Sequence, residues 1–162
     1  MQLDRNFEPP IPPKIGCGAA IAVSPVASLP ANGQLMKKKT RILAVDDEPV
    51  IGESLAYNLE APHRKIAVAP NGREALSMAS KRKFDVVITD HRMPEAGGLE
   101  LVRALRKRKF KGKIVVLSGH LSPENIGVYE ELEIDEVISK PCLMEELRDV
   151  VADLEEDLSL GL

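Results

Sequence analysis

Between Arg41 and Leu158 the chain alternates between a short apolar run and a stretch of helical period, five times over. The runs are Arg41–Val45, Lys65–Ala69, Phe84–Thr89, Lys113–Leu117 and Asp135–Ser139. Short β-branched runs bounded by turn residues read as strands. The first, third and fourth are apolar on both faces, as strands covered on both sides must be. Helical crossovers of this length demand a parallel sheet with helices on both faces. The pattern predicts an α/β, doubly wound, five-stranded domain over residues 39–160.

The helical stretches carry their own signals. Pro49 suits a first turn, where its missing N–H would be unpaired anyway, and Ile51, Leu55 and Leu59 follow at helical spacing. A second helix is expected over 73–80 with Ala75, Leu76 and Ala79 inward, and a third from Gly98 to Lys109 on Leu101, Val102 and Leu105. Ser122-Pro123 opens a fourth as cap and first-turn proline. Gly127 lowers its propensity, so it should be the weakest. Leu143, Leu147, Val150, Val151, Leu154 and Leu158 make a long amphipathic fifth helix.

Residues 1–38 differ. They hold Pro9, Pro10, Pro12, Pro13, Pro25 and Pro30, half of the chain's 12 prolines, with small residues between them. No helical or strand period survives, which predicts a disordered leader, with residues 1–35 dispensable for folding and phosphorylation. Met1-Gln2-Leu3-Asp4 lacks the basic start of a signal peptide. No run is long and apolar enough for a membrane span. A net charge of −3 implies neither a nucleic-acid nor a membrane partner. Cys17 and Cys142 form no disulfide framework and no metal motif. Cys142 is placed at a helix N-terminus and reads as an inert small hydrophobe. The chain reads as cytoplasmic.

In a parallel sheet every strand ends on one edge, so the residues just past the strand ends line one cleft. Strand one delivers Asp46 and Asp47, strand three Asp90, strand four Ser118 and Gly119, strand five Lys140. An aspartate ending a strand is common in turns; the company of Asp90 points instead to a site. Clustered carboxylates repel one another and resist full ionisation. Mg²⁺ resolves this, taking carboxylates, a carbonyl, waters and a phosphate oxygen. Lys140 and Ser118 suit further phosphate oxygens. The set is fit for making and breaking an acyl phosphate on one carboxylate.

These residues, with Met93-Pro94 and Gly98 after Asp90 and Pro141 after Lys140, resemble the receiver domain of two-component response regulators over about residues 40 to 158. The resemblance implies a flavodoxin-like fold with strand order 2-1-3-4-5. It implies Asp90 as phosphoacceptor, fed by a sensor histidine kinase or a histidine phosphotransfer protein. It makes Asp47 a direct Mg²⁺ ligand and Asp46 the holder of metal-bound water, with the carbonyl of Arg92 completing the site. Ser118 and Lys140 contact the phosphoryl group. The family usually has Tyr or Phe three residues before the lysine as a rotamer switch; here that position is Val137.

Arg92 and His120 lie two residues beyond Asp90 and Ser118, and are expected to overhang the cleft and tune phosphoryl lifetime. Between Arg103 and Lys113 lie seven bases and no acid, read as a solvated face. From Glu124 to Asp157 there are 13 acids against Lys140 and Arg148. This acidic face, about 122–158, is the expected contact with a downstream protein. The chain is therefore expected to be a single-domain phosphoacceptor, not an enzyme in the ordinary sense, with no direct nucleic-acid contact and a homodimer left open. Two alternatives stand beside it: a phosphohydrolase working through an aspartyl phosphate, and a non-phosphorylated scaffold.

Overall fold

The computed structural model describes residues 39–161. The leader read over residues 1–38, with Cys17, lies outside the described residues. Strands β1 (Thr40–Val45), β2 (Arg64–Ala69), β3 (Val86–Asp90), β4 (Lys113–Ser118) and β5 (Glu136–Ser139) alternate with helices. The helices are α1 (Pro49–Leu59), α2 (Gly72–Lys81), α3 (Gly98–Lys107), α4 (Pro123–Glu131) and α5 (Met144–Leu160). Every strand pair is parallel, and the order is β2-β1-β3-β4-β5. Both the doubly wound class and the strand order agree with expectation.

Strand side chains alternate between faces. That alternation divides the core in two. Ile42, Ala44, Val86, Ile88, Val115 and Leu117 face α1 and α5, where Leu55, Leu59, Leu147 and Val151 meet them. Leu43, Val45, Val87, Ile114 and Val116 face the other way, against Ala75, Leu101, Val102, Leu105 and Tyr129. The three central strands are thus sealed on both sides.

Helix starts follow the local chemistry. Asn71 accepts a hydrogen bond from the Glu74 N–H at 2.8 Å to begin α2, and Ser122 accepts one from the Asn125 N–H at 3.3 Å to begin α4. Each satisfies an amide that the helix itself leaves unpaired. α4 buries one side chain, Tyr129, consistent with its reading as the weakest helix.

Some expectations are corrected. β3 begins at Val86 and runs through Asp90, while Phe84 precedes the ladder yet is buried. The Asp85 carboxylate there accepts the Arg41 N–H at 2.9 Å. α3 stops at Lys107, because Lys109 takes a left-handed backbone (φ 59°) that no helix continues. Leu143 does not join the inward face of α5: it is the extended residue before the helix and is 73% exposed. Cys142 sits just ahead of it and packs against the α1–α5 side of the core, in keeping with an inert role.

The end of the sheet away from the strand tips is tied by arginines. Arg106 donates to the carbonyls of Leu132 (2.9 Å), Phe110 (2.9 Å), Gly112 (3.2 Å) and Glu133 (2.6 Å). Arg64 grips Glu155 with Nε at 3.0 Å and Nη2 at 2.6 Å, joining β2 to α5. Two of the bases expected on a solvated face, Arg106 and Lys113, therefore hold structure, Lys113 bridging Asp135 (3.3 Å) and Asp157 (3.4 Å).

Candidate functional site

Register decides which residues meet at the strand tips. Val45 pairs with Thr89, so Asp46 stands level with Asp90. Asp90 pairs with Leu117, one residue short of Ser118, and Ser118 pairs with Ser139, one residue short of Lys140. Four tips therefore place their side chains in one cleft, as the order of elements predicts.

Asp46 is 1% exposed, yet its carboxylate is fully engaged. Oδ1 accepts the Glu48 N–H at 2.9 Å, which curls the chain into α1, and Oδ2 lies 3.4 Å from Nζ of Lys140. The same ammonium lies 3.3 Å from Oδ2 of Asp90. Carboxylate oxygens of Asp46, Asp47 and Asp90 lie within 4.8 Å of one another. Burial works against the charge of Lys140, but the nearby carboxylates of Asp90 and Asp46 outweigh it and hold its pKa above the ordinary lysine value.

Three carboxylates against one ammonium leave excess negative charge and several unfilled lone pairs. That donor set is all oxygen, hard and anionic, and it fits Mg²⁺. Ser118 is buried beside it; its Oγ donates to the His120 carbonyl at 3.0 Å and accepts the His120 N–H at 3.3 Å. A Cβ at Gly119 would meet nothing within 4 Å, so there is open space beside Ser118. Arg92 and His120 are both exposed. Val137 is half-buried on the side of the sheet facing α2, α3 and α4.

The approach of Asp90 depends on a glycine. A Cβ at Gly98 would strike the Asp90 carbonyl oxygen. The Gly98 N–H donates to the His91 carbonyl at 3.0 Å, and the His91 N–H donates to Leu117 at 2.8 Å. The residue after Asp90 is thus fixed through both of its backbone groups.

A family model described as the response regulator receiver domain matches residues 42–152. The chain belongs to this family. A response regulator receiver protein of Anaeromyxobacter sp. (strain Fw109-5) is 34% identical over 110 residues, 68% of this chain and 46% of that protein. The alkaline phosphatase synthesis transcriptional regulatory protein PhoP of Bacillus subtilis is 35% identical over 106 residues, 65% of this chain and 43% of that protein. The chain thus spans about half the length of the curated relatives it matches. Among solved structures, the chemotaxis protein CheY4 of Vibrio cholerae has a TM-score of 0.67 at 30% identity, covering 72% of this chain and 98% of that one. A receiver domain from Clostridium thermocellum has a TM-score of 0.69 at 25% identity, covering 76% and 99%.

Receivers are signalling domains that take phosphoryl groups from histidine kinases and bind Mg²⁺ at an acidic pocket; in this chain Asp46, Asp47 and Asp90 form an acidic cluster. Among the described residues, no helix is long and apolar enough to cross a membrane.

One part of this receiver's site is absent from the sequence reading. Nδ1 of His91 lies 2.8 Å from the Tyr129 hydroxyl, and Nε2 lies 3.4 Å from Nδ2 of Asn125. The two rings meet edge to face, 5.7 Å between centroids and 71° between planes. Burial, and then the charge of Arg92, lower the His91 pKa against the opposing pull of Asp90 and Glu100. Burial, then the carboxylates of Glu100 and Asp90, push the Tyr129 phenol well above its ordinary value. Asn125 and Tyr129 stand four apart, which on a helix is one face. That spacing was the available signal, but only the fold shows that the face meets residue 91.

Proposed function

We propose that this receiver accepts a phosphoryl group on Asp90 from the phosphohistidine of a sensor kinase or phosphotransfer protein, and signals by protein–protein contact. The observation that carries the reading is Lys140, shared between Asp90 and Asp46 at the edge of a three-carboxylate cluster. A carboxylate oxygen of Asp90 attacks phosphorus. The P–N bond breaks, and its electron pair returns to the donor imidazole, which takes a proton from solvent. Asp47, Asp46, Asp90 and the Arg92 carbonyl would hold Mg²⁺, which supplies charge neutralisation for the incoming phosphoryl oxygens. Lys140 pairs with one of those oxygens, exchanging a carboxylate partner for a phosphoryl one. Ser118 releases the His120 carbonyl and turns its hydroxyl to another.

Output is read on the α4–β5–α5 surface. Of the 13 acids between Glu124 and Asp157, three are half-buried and paired internally: Asp135 and Asp157 with Lys113, Glu155 with Arg64. The remaining ten are exposed. A partner with a basic or mixed surface suits them, and salt should weaken the contact.

The test is incubation with Mg²⁺ and acetyl phosphate, followed by mass spectrometry of the modified residue. Asp90 is expected to carry the group. Labelling that survives Asp90→Ala or ignores chelation sinks the assignment. Sustained turnover of phosphate esters would instead make this a phosphohydrolase.

A further inference from the structure

We propose that Tyr129, acting through His91, is the positioning residue that couples Asp90 to α4, in place of an aromatic on β5. The inference rests on Asp90 being the phosphoacceptor.

Tyr129 is 1% exposed and is the one side chain that α4 buries. Its ring lies in the core on the side of the sheet that Val137 also faces. On that side the aromatic ring nearest the phosphoacceptor loop therefore comes from a helix, while the strand contributes a small, stiff valine. A buried phenol needs a hydrogen-bond partner. Here the partner is His91, at 2.8 Å. The two share one hydrogen bond in either imidazole tautomer, since Nδ1 donates when protonated and accepts the phenolic proton when not. Asn125, one turn earlier in α4, reaches the other ring nitrogen at 3.4 Å.

His91 cannot follow a moving α4 freely. It directly follows Asp90, and its backbone is bonded to Leu117 at one group and Gly98 at the other. Its ring is thus a short strut from the phosphoacceptor turn to the helix. A shift of that turn on phosphorylation must pull Tyr129 along or break its bond. The converse holds too: a partner that seats on α4 biases the geometry of Asp90, as linkage requires of any coupled pair of sites. The β4–α4 loop reaches α4 from Ser118 at its N-terminal end. The strut grips the helix through Tyr129 in its last turn, so the two connections act on different points of one element.

The experiment compares the full chain with its Tyr129→Phe and His91→Phe variants and the double variant. Each is followed by amide exchange with and without beryllofluoride and Mg²⁺, the fluoride complex standing in for the phosphoryl group. Tyr129→Phe keeps the ring in the core and removes only the hydroxyl. It is expected to fold, to take beryllofluoride at Asp90, and to show undiminished protection around 90–98. Its response over 119–138 is expected to shrink about fivefold, the lower end of ordinary coupling between sites. The double variant should lose no more than the larger single loss, since both remove the same hydrogen bond. A Tyr129→Phe chain that responds over 119–138 as the wild type does overturns the coupling and leaves the phosphoacceptor reading standing. Additive losses overturn it as well, because the residues would then act separately. A wild-type chain that takes no beryllofluoride at Asp90 overturns both readings together.

Discussion

Nζ of Lys140 stands 3.3 Å from Oδ2 of Asp90, and it is the one cation within ion-pair distance of that carboxylate among the described residues. It also serves Asp46, so removing it leaves two buried or half-buried anions uncompensated. Lys140→Met is expected to lower unfolding free energy by about 1–3 kcal/mol in chelator. In saturating Mg²⁺ the loss should shrink, because the divalent ion takes over the same oxygens. Urea titrations with and without the metal check this. Equal losses in both would show that ammonium and ion do not share those carboxylates.

Asp47 has no ion pair among the described residues yet sits within the acidic cluster. Neutralising it removes repulsion and breaks no attraction. Asp47→Asn should raise metal-free stability by about 0.5–1 kcal/mol and abolish most of the gain that Mg²⁺ brings to the wild type. Thermal melts over a magnesium series report both. A variant that still gains fully from Mg²⁺ removes Asp47 from the ligand set.

Two glycines should respond oppositely to alanine. At Gly98 a methyl would collide with the Asp90 carbonyl, which is backbone and cannot swing aside. Gly98→Ala is expected to destabilise by more than about 2 kcal/mol and to disturb phosphorylation. At Gly127, inside α4, nothing lies within 4 Å. Gly127→Ala should stabilise by about 0.5–1 kcal/mol through helix propensity alone. Denaturant midpoints separate the two cases.

Acid should destabilise the fold through Glu155. Burial opposes its charge, but hydrogen bonds from Arg64 and Thr40 and the charges of Arg64 and His63 win, and its pKa falls below the ordinary 4.5. A carboxylate with a depressed folded pKa contributes stability above its unfolded value, and loses it as pH falls through the folded one. The stability gap between wild type and Glu155→Gln should therefore be full at neutral pH and close as pH falls below the ordinary carboxylate range and through the lowered folded pKa. Arg64→Ala, which strands Glu155 near the core, should cost about 3 kcal/mol at neutral pH. A gap that stays constant into acid would assign the effect to packing.

Arg92 and His120 are exposed, each two residues beyond a residue of the candidate site, Asp90 and Ser118. Trimming both to alanine should admit water and speed loss of the phosphoryl group from Asp90, since excluded water protects reactive intermediates. Timed acid quenching after removal of donor measures it. An unchanged lifetime refutes the role.

The sheet was legible because each strand is bounded by turn residues and each helix carries its own period. Strand tips then followed from topology, and Asp46, Asp47, Asp90, Ser118 and Lys140 with them. Boundaries were less legible where side chains settle backbone ends. Asp85 pairs with the Arg41 amide ahead of β3, and Lys109 turns left-handed after α3. Leu143 counted as apolar and in phase, but it precedes the helix and so escapes the packed stripe. His91 read as a turn residue, and nothing local says that a tyrosine 38 positions later meets it. Contacts between side chains on different elements depend on how helices lie across a sheet, which sequence period does not encode.

Arg106 binds the carbonyls of Leu132 and Glu133, the residues that end α4 and lead away from it. It also binds those of Phe110 and Gly112 just before β4, so it nails that end of the helix to the sheet. The other end hangs from the loop after Ser118. A rod fixed at one end swings; it does not slide. With nine residues α4 is ~13 Å long, so a swing of roughly 10° displaces its free tip by ~2 Å and its anchored end hardly at all. Such a swing would be greatest at Pro123 and Glu124, the end away from Arg106. Any protein that senses the state of Asp90 by touch has most to feel at that tip, and least beside Glu133.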